Sequence, residues 1–232
     1  MTGSTSLIAD VKAGLAELAD PVKAPEMRRY MKSEMPFRGV PKPARSAFAK
    51  HLFAANPFSD RGIFTETVRA LWRQAEFREE RYLAIDLSGH RPYRRWQDAG
   101  LLGLYREMIV TGAWWDYVDE IAIRRVGPIL RADRAAVTPM MLDWAAGEDR
   151  WLRRSAVICQ VGAKDDTDTE LLTAAVEATL ADKDFFLRKG IGWALRDYSR
   201  TAPDWVRDFV SAHRGPAGLS PLSVREAMKH LS

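Results

Sequence analysis

WLRRSAVICQ (151–160) and FLRKGIGWAL (186–195) share one order of residue types: an apolar pair, a basic pair, then small and apolar residues. Self-similarity at a fixed offset is the mark of a structural repeat. Aromatic-led helix starts extend the pattern, at Phe77, Trp114, Trp151 and Phe186, separated by 37, 37 and 35 residues. This period matches a two-helix unit of the HEAT or armadillo size class, in which each unit buries its apolar face against the next. The expected fold is all-α: a curved, HEAT-like helical solenoid with its second helices lining a concave face.

The rest of the chain agrees with that reading. Nearly every segment has helical periodicity, and no convincing alternating strand occurs. LIADVKAGLAELAD stops at Pro21, and Glu26 to Met35 ends at Pro36. Pro43 to Ala55 ends at Asn56-Pro57, and Arg61 to Gln74 follows the cap residues Ser59-Asp60. Further helices are expected over 77–88, 98–111, 114–126, 134–146, 149–163, 168–182, 184–199, 203–213 and 221–231. Gly127-Pro128 should break or kink the helix that contains it. Short connections rich in Pro, Gly and Asp imply antiparallel neighbours. The whole of 1–232 is expected to form a single repeat domain, with 1–6 and about 214–232 peripheral or less ordered.

Composition narrows the function classes. No apolar run is long enough to span a bilayer, and the N-terminal stretch lacks the charged and apolar regions of a signal peptide. Cys159 is the only cysteine in the 232 residues, which excludes an intramolecular disulfide framework and any multi-thiolate metal site. An intracellular, cytoplasmic protein is expected. Lys and Arg outnumber Asp and Glu by 35 to 31, and the arginines cluster: Arg28 and Arg29, Arg94 and Arg95, Arg124 and Arg125, Arg153 and Arg154. Arginine pairs donor by donor with phosphate oxygens, so a basic concave face suits a polyanionic rod such as duplex DNA. A solvated helical surface with interleaved acids would have the same composition.

WWDYVDE (114–120) is the most unusual stretch. Trp114, Val118 and Ile121 follow a core-facing track, whereas Trp115 and Asp119 share a different stripe of the same helix. Asp116 and Glu120 fall on a third stripe, expected to be solvated. Trp115 reads either as a second core aromatic, with Asp119 bonded to a neighbouring arginine, or as half of a cation site, since an indole face beside a carboxylate receives a cation. Arg154 lies 39 residues after Trp115, and Trp193 lies 39 after Arg154. Equal offsets in a solenoid put residues at similar heights, so the three can line one groove. Gly190 and Gly192 weaken a helix interior by roughly 1 kcal/mol each relative to Ala; small residues there could leave the Trp193 indole open to a ligand. The four histidines lack metal-ligand spacing, GIG (190–192) lacks the context of a dinucleotide loop, and no P-loop, nucleophile elbow or HExxH occurs. No metal or cofactor is expected.

MRRYMKSEMPFRGV (27–40), AWWDYVDEIA (113–122), WLRRSAVICQ (151–160) and FFLRKGIGWALRDYSR (185–200) together resemble the AlkD-type DNA alkylation repair glycosylases. These are bacterial HEAT-like repeat proteins, and the resemblance covers nearly the whole chain. It implies excision of cationic N3- and N7-alkylated purines, such as 7-methylguanine and 3-methyladenine, from double-stranded DNA. It also implies that the damaged base stays stacked rather than flipping out. The family's catalytic aspartate matches Asp119, its two DNA-facing tryptophans Trp115 and Trp193, its phosphate-side arginine Arg154, and a tyrosine near the lesion Tyr30. Arg153, Arg188 and Lys189 are expected to contact DNA beside them. The sequence departs from the family pattern at Tyr117, where Thr is expected, and at Gly190, where Ala is expected. A monofunctional glycosylase acting as a monomer without a cofactor is the resulting expectation. A non-catalytic module that binds distorted DNA or a protein partner is the competing class.

Overall fold

The computed structural model describes residues 2–231, and all regular structure in them is helical. Contacts divide the chain into two compact units, 1–96 and 97–232. The first contains α1 (Thr2–Glu17), α2 (Lys23–Met31), α3 (Lys42–Ala55), α4 (Arg61–Arg73) and α5 (Arg78–Ser88). Helix α1 packs on α3, α4 and α5. Leu7, Val11 and Leu15 from α1 meet Phe64, Val68 and Leu71 from α4 in its core. Asp60 caps α4 by accepting the Ile63 N–H, worth about 1 kcal/mol. A short 3₁₀ segment over Arg91–Trp96 follows α5.

The second unit contains α6 (Leu102–Gly112), α7 (Trp115–Ile121), α8 (Gly127–Ala132), α9 (Arg134–Ala146) and α10 (Arg150–Ile158). It continues with α11 (Thr169–Glu177), α12 (Phe185–Tyr198), α13 (Pro203–Ala212) and α14 (Pro221–Ala227). Helices α7, α10, α12 and α14 pack in succession as one layer, and α9 and α11 pack together in a second. Several expected helices end early: α2 runs from Lys23, ahead of Pro25, only to Met31 rather than Met35, and α10 ends at Ile158 and α11 at Glu177, each closing in turns. The stretch after 213, expected to be peripheral, forms α14 and packs along α12.

Capping aspartates keep the repeat in register. Asp98, Asp133 and Asp168 cap the first helical segment of successive pairs, 35 residues apart; Asp149 and Asp184 cap the second helices with the same spacing. Two of these caps also bind the preceding repeat. Arg134 lies 3.6 Å from Asp168 and Arg150 lies 3.2 Å from Asp184. Both pairs are partly exposed, so each adds at most about 1 kcal/mol. One period before Asp149 the cap position is Trp114, whose side chain accepts no such hydrogen bond. It packs instead against Trp151 and Phe186, with ring centroids 6.2 and 5.5 Å away, and those two rings lie 5.2 Å apart. Three of the four aromatic positions of the sequence repeat thus form one cluster of tilted and edge-on rings joining three helix starts, whereas Phe77 lies in the first unit.

Gly127-Pro128 does not break its helix. Pro128 has no N–H to donate to the Arg124 carbonyl, so the α-helical ladder cannot continue unchanged. The chain instead widens into a π turn over Ala122–Val126, with the Gly127 N–H bonded to the Ala122 carbonyl. The Arg125 guanidinium donates to the freed Arg124 carbonyl at 3.2 Å.

Candidate active site

Asp119 lies one turn beyond Trp115 on α7, with 15 % of its side chain exposed. Arg154, from α10, grips it in a bidentate pair: Nε donates to Oδ1 and Nη2 to Oδ2, both at 2.8 Å. The remaining guanidinium nitrogen, Nη1, donates to the Phe186 carbonyl in the first turn of α12. Three helices therefore hold one carboxylate. Gly190 leaves room for the guanidinium, since a Cβ there would sit 2.9 Å from Arg154 Nη1 and require it to shift. Gly192 instead lets α14 approach, since a Cβ would lie 2.5 Å from the Glu226 Cβ. Both glycines are buried and serve close packing rather than opening the Trp193 face.

Burial pushes the Asp119 carboxyl above its ordinary value of 3.8; the hydrogen bonds and charge of Arg154 pull it back, and Asp116 adds a smaller upward push. The pairing thus offsets part of the desolvation cost of keeping an anion here.

Trp115, Asp119 and Trp193 line one cavity of about 520 Å³, within the size range of small-ligand sites. Trp115 and Trp193 are both half-buried. Asp116, Glu120 and Arg124 also line it, as does Asp197 from α12. The three residues from 116 to 124 follow i, i+4, i+8 spacing, so the stripe expected to be merely solvated is part of the site. The lining holds four carboxylates and one arginine, although the surroundings of the indoles were expected to be basic; Asp119 and Glu120 are offset by Arg154 and Arg125 behind them. A cation on the lining's apolar and aromatic surface would meet carboxylates on several sides.

The other sequence candidates lie elsewhere. Arg154 is 5 % exposed, and its donors go to Asp119 and Phe186 rather than into the cavity. Arg153 links three segments, donating to the Ala145 carbonyl at 3.3 Å, the Ala178 carbonyl at 3.0 Å, and Asp182. Arg188 donates to the Asp182 carbonyl at 3.0 Å. Lys189 binds Glu226 at 3.0 Å. Hydrogen bonds from Lys189 and then Lys229, with the charges of both, bring Glu226 down to about 2 despite desolvation. Tyr30 is on α2 in the first unit and is 78 % exposed. Tyr117, the departure from Thr, is fully buried. Asp197 was missed by the sequence reading although a signal existed. Trp193 and Asp197 repeat the i, i+4 spacing of Trp115 and Asp119, 78 residues later.

An all-helical repeat unit with a tryptophan- and carboxylate-lined cavity places the chain among the helical-repeat proteins. Residues 11–231 match the family model of the DNA alkylation repair enzymes, and the chain belongs to that family. A solved structure described as a predicted DNA alkylation repair enzyme from Enterococcus faecalis is 31 % identical, with a TM-score of 0.81, over 92 % of this chain and 97 % of that one. AlkD2 from Streptococcus mutans shares the fold at 16 % identity and a TM-score of 0.61, over 80 % of this chain and 88 % of that one. No curated protein sequence matches. Among the described residues, no helix is long and apolar enough to cross a membrane.

Proposed function

We propose that this DNA repair family member is a monofunctional glycosylase that hydrolyses the N-glycosidic bond of cationic N3- and N7-alkylated purines in duplex DNA. The observation that carries the reading is the convergence of Trp115, Trp193 and an Arg154-held Asp119 on one carboxylate-lined cavity. An alkylated purine is already a good leaving group, so no general acid has to protonate it. As the bond stretches, positive charge moves from the base to the sugar. The Asp119 carboxylate stabilises that charge and orients or deprotonates the attacking water. The two indoles give the cation and sugar π faces to rest against. Gripping the nucleotide this way needs no base-shaped pocket, which fits cleavage with the base still stacked.

Arg154 acts in this reading as a positioning residue for Asp119. The phosphate contact passes to Arg124, which is exposed on the cavity wall and whose side chain forms no ion pair among the described residues. The HEAT-like layering presents these groups to a duplex, and a monomer suffices. The decisive experiment is release of 7-methylguanine from methylated duplex DNA by the wild-type protein and by Asp119→Asn. Release by wild type and its loss in the variant support the reading. No release by wild type, or equal release by both, rejects it.

A further inference from the structure

The cavity contains two copies of one small device. On α7, Trp115 is followed four residues later by Asp119; on α12, Trp193 is followed four residues later by Asp197. All four side chains line the same space. In a helix, i and i+4 side chains stand one above the other, so each pair offers an indole face with a carboxylate beside it.

The copies differ in what holds the acid. Asp119 is paired with the guanidinium of Arg154, which balances its charge. Asp197 has no ion pair among the described residues. Its Oδ2 accepts the Gly162 N–H at 2.6 Å, which fixes the acid against the turn after α10 without an ion pair; Arg124, the arginine lining the same cavity, is not paired with it. The basic residues nearest in sequence are engaged elsewhere: Arg196 binds Glu226, and Arg200 Nη2 lies 3.0 Å from His230 Nε2. Gly162 has a φ of +82°, a backbone state that favours glycine, so the donor that orients Asp197 is built into the turn.

We propose that Asp197 is a specificity-determining residue that binds the positive charge of the damaged base before the bond breaks, while Asp119 acts on the charge that develops on the sugar. This assignment rests on the glycosylase reading above. At similar distance, a carboxylate without an ion pair attracts an approaching cation more than one paired with an arginine. Binding felt equally in ground and transition states changes affinity and KM without changing kcat. The two acids should therefore separate kinetically.

Asp197→Asn tests this with little disturbance, because its amide oxygen can still accept the Gly162 N–H. Affinity is measured for a duplex containing 2′-fluoro-7-methyldeoxyguanosine, a cation resistant to hydrolysis, and for the same duplex with uncharged 2′-fluorodeoxyguanosine. Single-turnover release from ordinary 7-methylguanine duplex at saturating protein gives the chemical step. The preference for the cationic duplex should fall about fivefold, with the saturating rate kept within about twofold. Asp197→Glu should keep a preference that Asp197→Ser loses, and this second pair of variants decides the matter if the asparagine protein does not fold. An unchanged preference overturns the proposal, as does a saturating rate that falls as far as in Asp119→Asn. If wild type neither releases base nor prefers the cationic duplex, the glycosylase reading itself fails. A normal wild type with an indifferent Asp197→Asn removes only the role of Asp197.

Discussion

Each unit holds a carboxylate away from bulk solvent, and the contrast between Glu79 and Asp119 separates an acid with only backbone partners from one proposed to do chemistry. Glu79, on α5 of the first unit, is fully buried. Its Oε1 accepts the backbone N–H groups of Arg38, Gly39 and Val40 at 3.1, 2.9 and 3.1 Å, and Oε2 accepts Arg38 again at 3.0 Å. Those donors belong to one strand-free loop, so the carboxylate serves as the loop's partner and has no route to a ligand. Asp119 is held by a single side chain, and it borders a cavity. Backbone donors immobilise an acid and hide it. An arginine on a neighbouring helix orients an acid while leaving one side open.

Exchanging the two acids' charges should produce opposite defects, and these are the largest effects expected. Asp119→Asn should lower single-turnover release of 7-methylguanine by at least about 100-fold, with duplex affinity near wild type and a loss of stability limited to that of the broken Arg154 ion pair. Glu79→Ala should leave three buried N–H groups unpaired and cost about 3 kcal/mol of stability, measured by urea unfolding, while the remaining folded protein cleaves normally. A catalytic defect in a stable Glu79→Ala protein would erase the contrast.

The next effect concerns protonation. The proposed mechanism needs the Asp119 carboxylate ionised, and burial raises its pKa above 3.8. Release should therefore fall as the pH drops through that raised value. Arg154→Gln removes the influences that lower it, so the acid limb of the rate profile should move to higher pH. A limb that stays in place would show that Arg154 does not tune the acid. Arg124→Ala should act on binding instead, reducing the slope of log affinity against log salt by about 1. The smallest effect belongs to a third acid, Glu226, whose pKa is lowered from 4.5 to about 2 chiefly by Lys189. A depressed carboxyl contributes stability above its unfolded value and loses it as pH falls toward its folded one. Glu226→Gln should flatten the loss of melting temperature between about pH 4.5 and 2, and leave the melting temperature at neutral pH modestly lower.

Local chemistry made much of the fold legible. Periodicity marks the helices because an amphipathic face must be buried whatever it meets, and the Trp114, Trp151 and Phe186 spacing anticipates rings that touch. The 35-residue spacing of the capping aspartates is an equally clear signal in the sequence. Helix ends were less legible: α10 and α11 stop short of their apolar patterns because turns close them. At Gly127-Pro128 proline forbids one hydrogen bond, but sequence does not say whether the chain will break or insert a π turn; packing around Gly127, where a Cβ would lie 2.2 Å from the Cys159 carbonyl, selects the continuous path.

For the site, the sequence alone determined residue types and spacing: an indole and an acid one turn apart, on two helices, within a chain of one repeating period. It could not assign their partners, because contacts between helices depend on distances that spacing does not encode. Tertiary structure decided that Arg154 turns inward to Asp119, that Gly190 leaves room for it, and that Arg153, Arg188 and Lys189 bind protein acceptors. It also decided which of the cavity's carboxylates are offset, because charge at a surface depends on which side chains are already paired. Net composition records only that they exist.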